Sequence, residues 1–251
     1  MSRSIPSQCP RALVLLTLAG LAFPVRADAP SRAEQTFAKM VQGLGGQAKV
    51  DAVKDLTILS HEDILEPKSY TVTVRQYVTA ARSREEMELD GSMYVAVIAD
   101  EGFTISDAGV EPLPAEDREK GIRALKRQPL FVAQQHGKPT LVLQDGGTAK
   151  IGTTDADVLD VTNDGVPVRF YVEPATGRIL RKEFQEGTGA RTTVTFADFR
   201  LVDGIGVAFR QDVKRGDLDV EVIVVEDYKI NSGVDPKLFS APDKPATPAP
   251  K

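Results

Sequence analysis

The sequence predicts a mainly β chain, α+β in class, built on one strongly curved antiparallel sheet. Three observations carry that prediction. Short apolar-alternating runs recur about every 10–13 residues, over 158–162, 166–172, 179–186, 191–199, 207–213 and 218–227. The gaps between them hold turn chemistry, from Asn163-Asp164-Gly165 and the Pro174–Gly177 reversal to Gly187-Thr188-Gly189, Asp203-Gly204 and Gly216. Gly accepts positive φ and Asn or Asp stabilises tight reversals, so consecutive strands pair as hairpins. Helical periodicity is confined to a short N-terminal stretch and one insert, residues 114–136.

The chain opens on a basic and then apolar leader. Arg3 and Arg11 precede an apolar run over residues 12–23, and Val25-Arg26-Ala27 places small residues at −3 and −1. This is the pattern of a signal peptide cleaved near Ala27, and the run is too short for a stable membrane anchor. Cys9 lies before the apolar run, so it is not a lipid-attachment cysteine. The expectation is a periplasmic, exported protein with residues 28–241 as one domain.

Cleavage removes three arginines and no acid, leaving 28 basic against 36 acidic residues, a net charge of about −8. An acidic balance argues against a nucleic-acid partner, which requires a basic face. The only cysteine leaves with the leader, so neither a disulfide nor a thiolate metal site is expected. The core must be aliphatic, since the chain has no Trp.

The first helix begins at Ser31, with Glu34 three residues on as a capping box. Phe37, Met40, Val41 and Leu44 fall on one face, Gly45-Gly46 stops the helix, and residues 48–55 form a short second helix with Val50 and Val53 inward. Strands follow over 56–60 and 70–80, with a turn at Glu66-Pro67-Lys68 between them. The charged run 82–89 reads as a strand with a wet outer face, on which Glu85, Glu86 and Glu88 are solvated. Asp90-Gly91 turns into a strand over 92–99, and 102–106 is its short partner.

In the insert, Pro114 starts a helix whose early acids and late bases complement the helix dipole. Ile122, Leu125 and, past a kink at Pro129, Leu130 and Phe131 make its apolar stripe. Strands resume at 140–143 and 149–153. Residues 242–251 contain four prolines and read as an extended disordered tail.

Three runs resemble the periplasmic lipoprotein-carrier-like, or outer-membrane lipoprotein-sorting, superfamily. Residues 171–182 read Tyr-Val-Glu-Pro-Ala-Thr-Gly-Arg-Ile-Leu-Arg-Lys, like its strand–turn–strand. Residues 193–204, Thr-Val-Thr-Phe-Ala-Asp-Phe-Arg-Leu-Val-Asp-Gly, match its Val-x-(Tyr/Phe)-x-Asp-(Tyr/Phe)-Arg-x-Val-Asp-Gly pattern, and residues 231–242 resemble its usual ending. The resemblance implies an unclosed half-barrel, with helices over a concave apolar face that holds acyl chains or a lipidated partner. It also implies a helix-borne arginine gating that cavity. Arg118, Arg123 and Arg127 all stand on the insert, and no motif singles one out.

Catalytic chemistry is sparse. His61 and His136 have no second ligand at i+3 or i+4. Asp160 could open a calcium loop, but Thr162 and Tyr171 occupy positions where such a loop needs ligands, so Asn163-Asp164-Gly165 is a hairpin turn. Asp155 and Asp157 read as a solvated loop, and Gly43-Leu44-Gly45-Gly46 follows a helix rather than a strand, so it is no phosphate loop. The expectation is no catalytic residue, no cofactor and no metal.

The positive case is binding. Val72, Val74, Val95, Val97, Phe170, Val172, Val194, Phe196 and Val222 could share one face of the sheet as an apolar groove, with Ile122, Leu125, Leu130 and Phe131 on a movable lid. The expected partners are a lipid, an acyl chain or a lipidated protein, with a membrane-associated donor or acceptor protein. The alternative is a periplasmic protein-interaction or regulatory module whose core is filled.

Overall fold

The computed structural model describes residues 29–242. The expected leader, 1–27, and the tail beyond Pro242 lie outside the described residues. One 13-stranded sheet makes up most of the molecule, every neighbouring pair antiparallel and the two edges unjoined. The first meander comprises β1 (Asp55–Ile64), β2 (Tyr70–Thr79), β3 (Ser83–Leu89), β4 (Ser92–Ile98), β5 (Phe103–Ser106) and β6 (Gly109–Pro112). The second comprises β7 (Leu141–Ile151), β8 (Thr154–Asn163), β9 (Val166–Val172), β10 (Ile179–Gln185), β11 (Arg191–Val202), β12 (Ile205–Arg215) and β13 (Leu218–Ile230). The last strand, β13, closes back on β1, so both meanders share one sheet with β6 and β7 at its edges.

Turn chemistry sets this order. Asp90-Gly91, Asp164-Gly165 and Asp203-Gly204 all take positive φ at both residues (51° and 79°, 47° and 77°, 51° and 78°), which is the two-residue turn that matches strand twist. Four helices lie against the concave face: α1 (Arg32–Gly43), α2 (Gln47–Asp51), α3 (Ala115–Lys126) and α4 (Pro129–Ala133). The capping box of α1 forms as the sequence implies, Ser31 Oγ accepting from the Glu34 amide and Glu34 accepting from the Ser31 amide at 2.6 Å. Phe37, Met40, Val41 and Leu44 bury with Val50, Leu130, Phe131, Leu159 and Phe170 in the main core. A 3-10 turn, Pro236–Phe239, packs Phe239 on the convex side against Val95, Val97 and Phe103.

Several elements differ from the sequence reading. The insert is two helices rather than one kinked helix: Arg127 caps α3, and Pro129 opens α4 at the first turn, where its missing N–H costs nothing. The expected strands 140–143 and 149–153 are one strand, β7, broken by a bulge between Asp145 and Thr148, where Gly147 takes φ of 85°. Asp155 and Asp157 are not in a loop but on β8, and Asp157 receives Arg32 at 3.3 Å and Lys39 at 3.2 Å, tying α1 to the sheet. Glu85 turns inward, whereas Glu88 is exposed and Glu86 pairs with Arg84 at 2.7 Å, so the acidic run is not one wet face.

Candidate functional site: a cavity beneath the curved sheet

Strand alternation and register decide which side chains face the hollow. Across β1 and β2, Ser60 lies opposite Val74 and Glu62 opposite Val72; across β2 and β3, Gln76 lies opposite Glu85. Directly opposed residues point to the same face, so these side chains all look inward. The inward set continues onto β4 through Ala96 and Ile98, which pair with Glu85 and Ser83. On β13 it runs through Ile223 and Val225 and then, past a bulge opposite Leu59 and Ser60, through Tyr228.

A cavity of about 690 Å³ remains between this face and the helices. Ile58, Val78, Ile98, Phe196, Ile223 and Val225 supply apolar lining, and α3 and α4 roof it with Gly121, Ala124, Leu125, Pro129 and Leu130. Binding pockets for small molecules span roughly 300–1,000 Å³, and this cavity lies in that range; its lining is mixed, with Ser60, Glu62, Gln76, Glu85, Lys182 and Gln211 beside the apolar side chains. Leu201 lines its rim while 76% exposed, which marks where the hollow meets solvent. Beside it, the guanidiniums of Arg178 and Arg200 lie 5.3 and 4.2 Å from the ring centres of Phe199 and Phe209.

The predicted groove residues divide three ways. Phe196 lines the cavity. Val72, Val74, Phe170, Val172 and Val194 share the inward face but are packed over, with Phe170 and Val172 in the core under the helices. Val95, Val97 and Val222 point the other way: their in-facing neighbours are Ala96, Ile98 and Ile223, and Val95 and Val97 pack on Phe239 outside. Register separates residues that shared parity on paper: Val222 stands opposite Asp63 and Asp212, whereas the in-facing Ile223 stands opposite Glu62 and Gln211. Of the lid residues, Leu125 and Leu130 line the cavity, Phe131 sits in the core and Ile122 is half-buried off the lining.

Hooks on both sides of the opening hold the roof. Arg118 donates to the Asp100 carbonyl at 2.8 Å on the first meander. On the second, Arg123 meets Glu186 at 2.8 Å, Arg127 bonds the same carboxylate and the Pro167 carbonyl, and Lys126 meets Asp164 at 2.6 Å. Arg127 is 2% exposed, with its guanidinium 4.5 Å from the Phe184 ring centre. Among the insert arginines it is the buried one, which the sequence did not single out. Burial alone would push the Glu186 carboxyl up, but the hydrogen bonds from Arg127 and Arg123 outweigh that and hold it below the usual range.

Two polar features inside the cavity were missed at the sequence level. On one wall, Glu62, Glu85 and Glu221 cluster from β1, β3 and β13. Burial, then the charge of Glu62, pushes Glu85 up to about 7; burial, then Glu221, raises Glu62, and burial raises Glu221. Ser60 Oγ donates to Glu62 at 2.9 Å and Gln76 Nε2 to Glu85 at 3.1 Å. Among the described residues no acidic group is arranged to hold a metal ion. On the other wall, β10 carries Lys182, half-buried and lining the cavity. Both features would show as charged residues at in-facing positions, had the register been known.

Three solved structures share this architecture. A DUF1329 family protein from Desulfovibrio piger superposes with a TM-score of 0.59 at 13% identity, covering 84% of this chain and 98% of that one. A putative outer membrane lipoprotein-sorting protein domain from Vibrio parahaemolyticus gives a TM-score of 0.58 at 15% identity, over 83% and 97%. This chain shares their fold. A LolA superfamily protein from Nitrosomonas europaea agrees, with a TM-score of 0.53 at 13% identity over 84% and 98%. No protein-family model matches the chain, nor does any curated protein. At these identities the likeness concerns the fold alone; the chemistry must come from this chain's own cavity.

Proposed function

We propose that this protein is an exported, non-catalytic carrier or sensor that takes an acyl chain, a lipid or a lipidated protein into the cavity under its sheet. The observation that carries the reading is the hollow of about 690 Å³, roofed by a helical insert and walled by aliphatic and aromatic side chains. The driving force is transfer of apolar surface out of water, at ~0.8 kcal/mol per buried CH₂, so a single chain of ordinary length supplies ample binding energy. The α3 part of the roof acts as the lid: ionic hooks tie it to both meanders, while α4 anchors the insert in the core through Leu130 and Phe131. The compartment is the periplasm, on the pattern of the leader. A membrane-associated protein would serve as donor or acceptor.

The filled-core interaction module is the less favoured reading, because α1 and α4 occupy only part of the concave face and leave the rest hollow. Purification without detergent, followed by solvent extraction and mass spectrometry, separates the two. Stoichiometric acyl lipid in the extract supports the carrier. Lipid-free protein that also fails to bind a fluorescent fatty acid at micromolar concentration removes it.

A further inference from the structure

Lys182 is a half-buried cation on the cavity wall that, among the described residues, has no charge partner; Arg178, which also has none, is exposed at the rim. Its ammonium makes no hydrogen bond and no ion pair among the described residues; its neighbours are the rings of Phe184 and Phe196, at 6.0 and 5.9 Å from their centres. The nearest cation, Arg127, is already neutralised by Glu186. The carboxylate wall is remote. From Lys182 the ladder runs through Val194 on β11 and Val213 on β12 before reaching Glu221 on β13, three strand spacings or roughly 14 Å along the sheet. Lys182 therefore places an unpaired positive charge between the rings of Phe184 and Phe196, with no carboxylate opposite it on the neighbouring strands.

An unpaired ammonium in such a setting is costly. Burial, and then the charge of Arg127, draws the Lys182 pKa down to about 8, which still leaves the group mostly protonated at neutral pH. A ligand that brings a negative charge to this point would offset the cost, and the lining fixes what else the ligand must be. From Lys182 the hollow runs past Phe196, Ile223, Val225, Ile58 and Ile98 under α3.

We propose that the cavity selects a single-chain amphiphile with an anionic head, a long-chain carboxylate, whose head pairs with Lys182 while its chain lies along the apolar wall. A carboxylate is preferred to a phosphate because one ammonium balances a monoanion; a dianion would bring an unanswered charge indoors. This inference rests on the carrier reading above and names its ligand class.

The test compares palmitate, hexadecanol and hexadecyl phosphate by calorimetric titration of the delipidated protein, in wild type, Lys182→Met and Lys182→Arg. Methionine keeps an unbranched apolar stem, one atom shorter and without the charge, and arginine keeps the charge. The expected result is palmitate bound at least tenfold more tightly than hexadecanol by wild type and Lys182→Arg, with the preference lost in Lys182→Met and hexadecanol binding retained. Equal binding of palmitate and hexadecanol by wild type, or a preference that survives Lys182→Met, overturns the proposal while leaving the carrier reading intact. A tenfold preference for hexadecyl phosphate overturns the carboxylate assignment. Failure of all three amphiphiles to bind wild type overturns both readings together.

Discussion

At the scale of single residues, the cavity holds groups that the strand pattern would place outside. Glu85 belongs to a run of acids that suits a solvated strand, yet its partner across the ladder is the in-facing Gln76, and the surface it retains opens onto the hollow. Its carboxyl is raised from an ordinary value of 4.5 to about 7, chiefly by burial. A carboxyl whose pKa is higher folded than unfolded is at its most favourable below the unfolded value, and loses stability as pH rises through the folded one. Global stability should therefore fall between pH 5 and pH 8, by on the order of 3 kcal/mol from Glu85 alone. Chemical denaturation at both pH values checks this, and Glu85→Gln should flatten the dependence. A wild-type stability that rises over that range would refute the placement.

At the scale of elements, the outline was legible and the contacts were not. Asp90-Gly91, Asp164-Gly165 and Asp203-Gly204 announced three hairpins because few other dipeptides take positive φ twice. Pro129 marked a break in the insert, though propensity could not distinguish a kink from the start of α4. Nothing local reveals how closely α1 lies on the sheet. A Cβ added to Gly43 would fall 2.2 Å from the Gly177 carbonyl oxygen, and one added to Gly177 would fall 2.1 Å from that of Lys39, so backbone meets backbone there. Gly43→Ala should cost roughly 1–3 kcal/mol, since neither backbone can give way without moving a helix or a turn. Melting of that variant beside Gly216→Ala, where the nearest heavy atom is at 3.7 Å, provides the comparison, although Gly216 carries its own positive-φ strain at 61°.

The roof is testable as a moving part. Ile98 Cγ1 and Cγ2 lie 2.6 and 3.2 Å from where a Gly121 Cβ would stand, so α3 touches β4 there. In Ile98→Cys/Gly121→Cys a disulfide would pin the lid, and the chain's only natural cysteine is Cys9. Uptake of a fluorescent fatty acid should slow at least tenfold when the pair is oxidised and recover on reduction. Uptake indifferent to the staple would show that ligand enters elsewhere.

At the scale of the whole molecule, two meanders make one sheet because β13 pairs with β1, and the unjoined edges at β6 and β7 are bridged by α3 and α4. That arrangement creates a hollow without closing a barrel. The class of the fold follows from periodicity and turns, which are local; the site depends on register, which is not. Val222 and Ile223 are adjacent in sequence, yet one faces out and the other lines the cavity, and only the pairing of β13 with β1 and β12 decides which. The central claim is that the hollow is a ligand site rather than slack in the packing. The most direct measurement uses that parity: fatty-acid binding by Ile223→Trp, which fills the cavity, beside Val224→Trp, which adds the same bulk to an outer position that is 41% exposed. The account predicts that Ile223→Trp loses one-to-one binding at micromolar ligand while Val224→Trp binds as the wild type does. Equal binding by the two variants, or loss only in Val224→Trp, would contradict it.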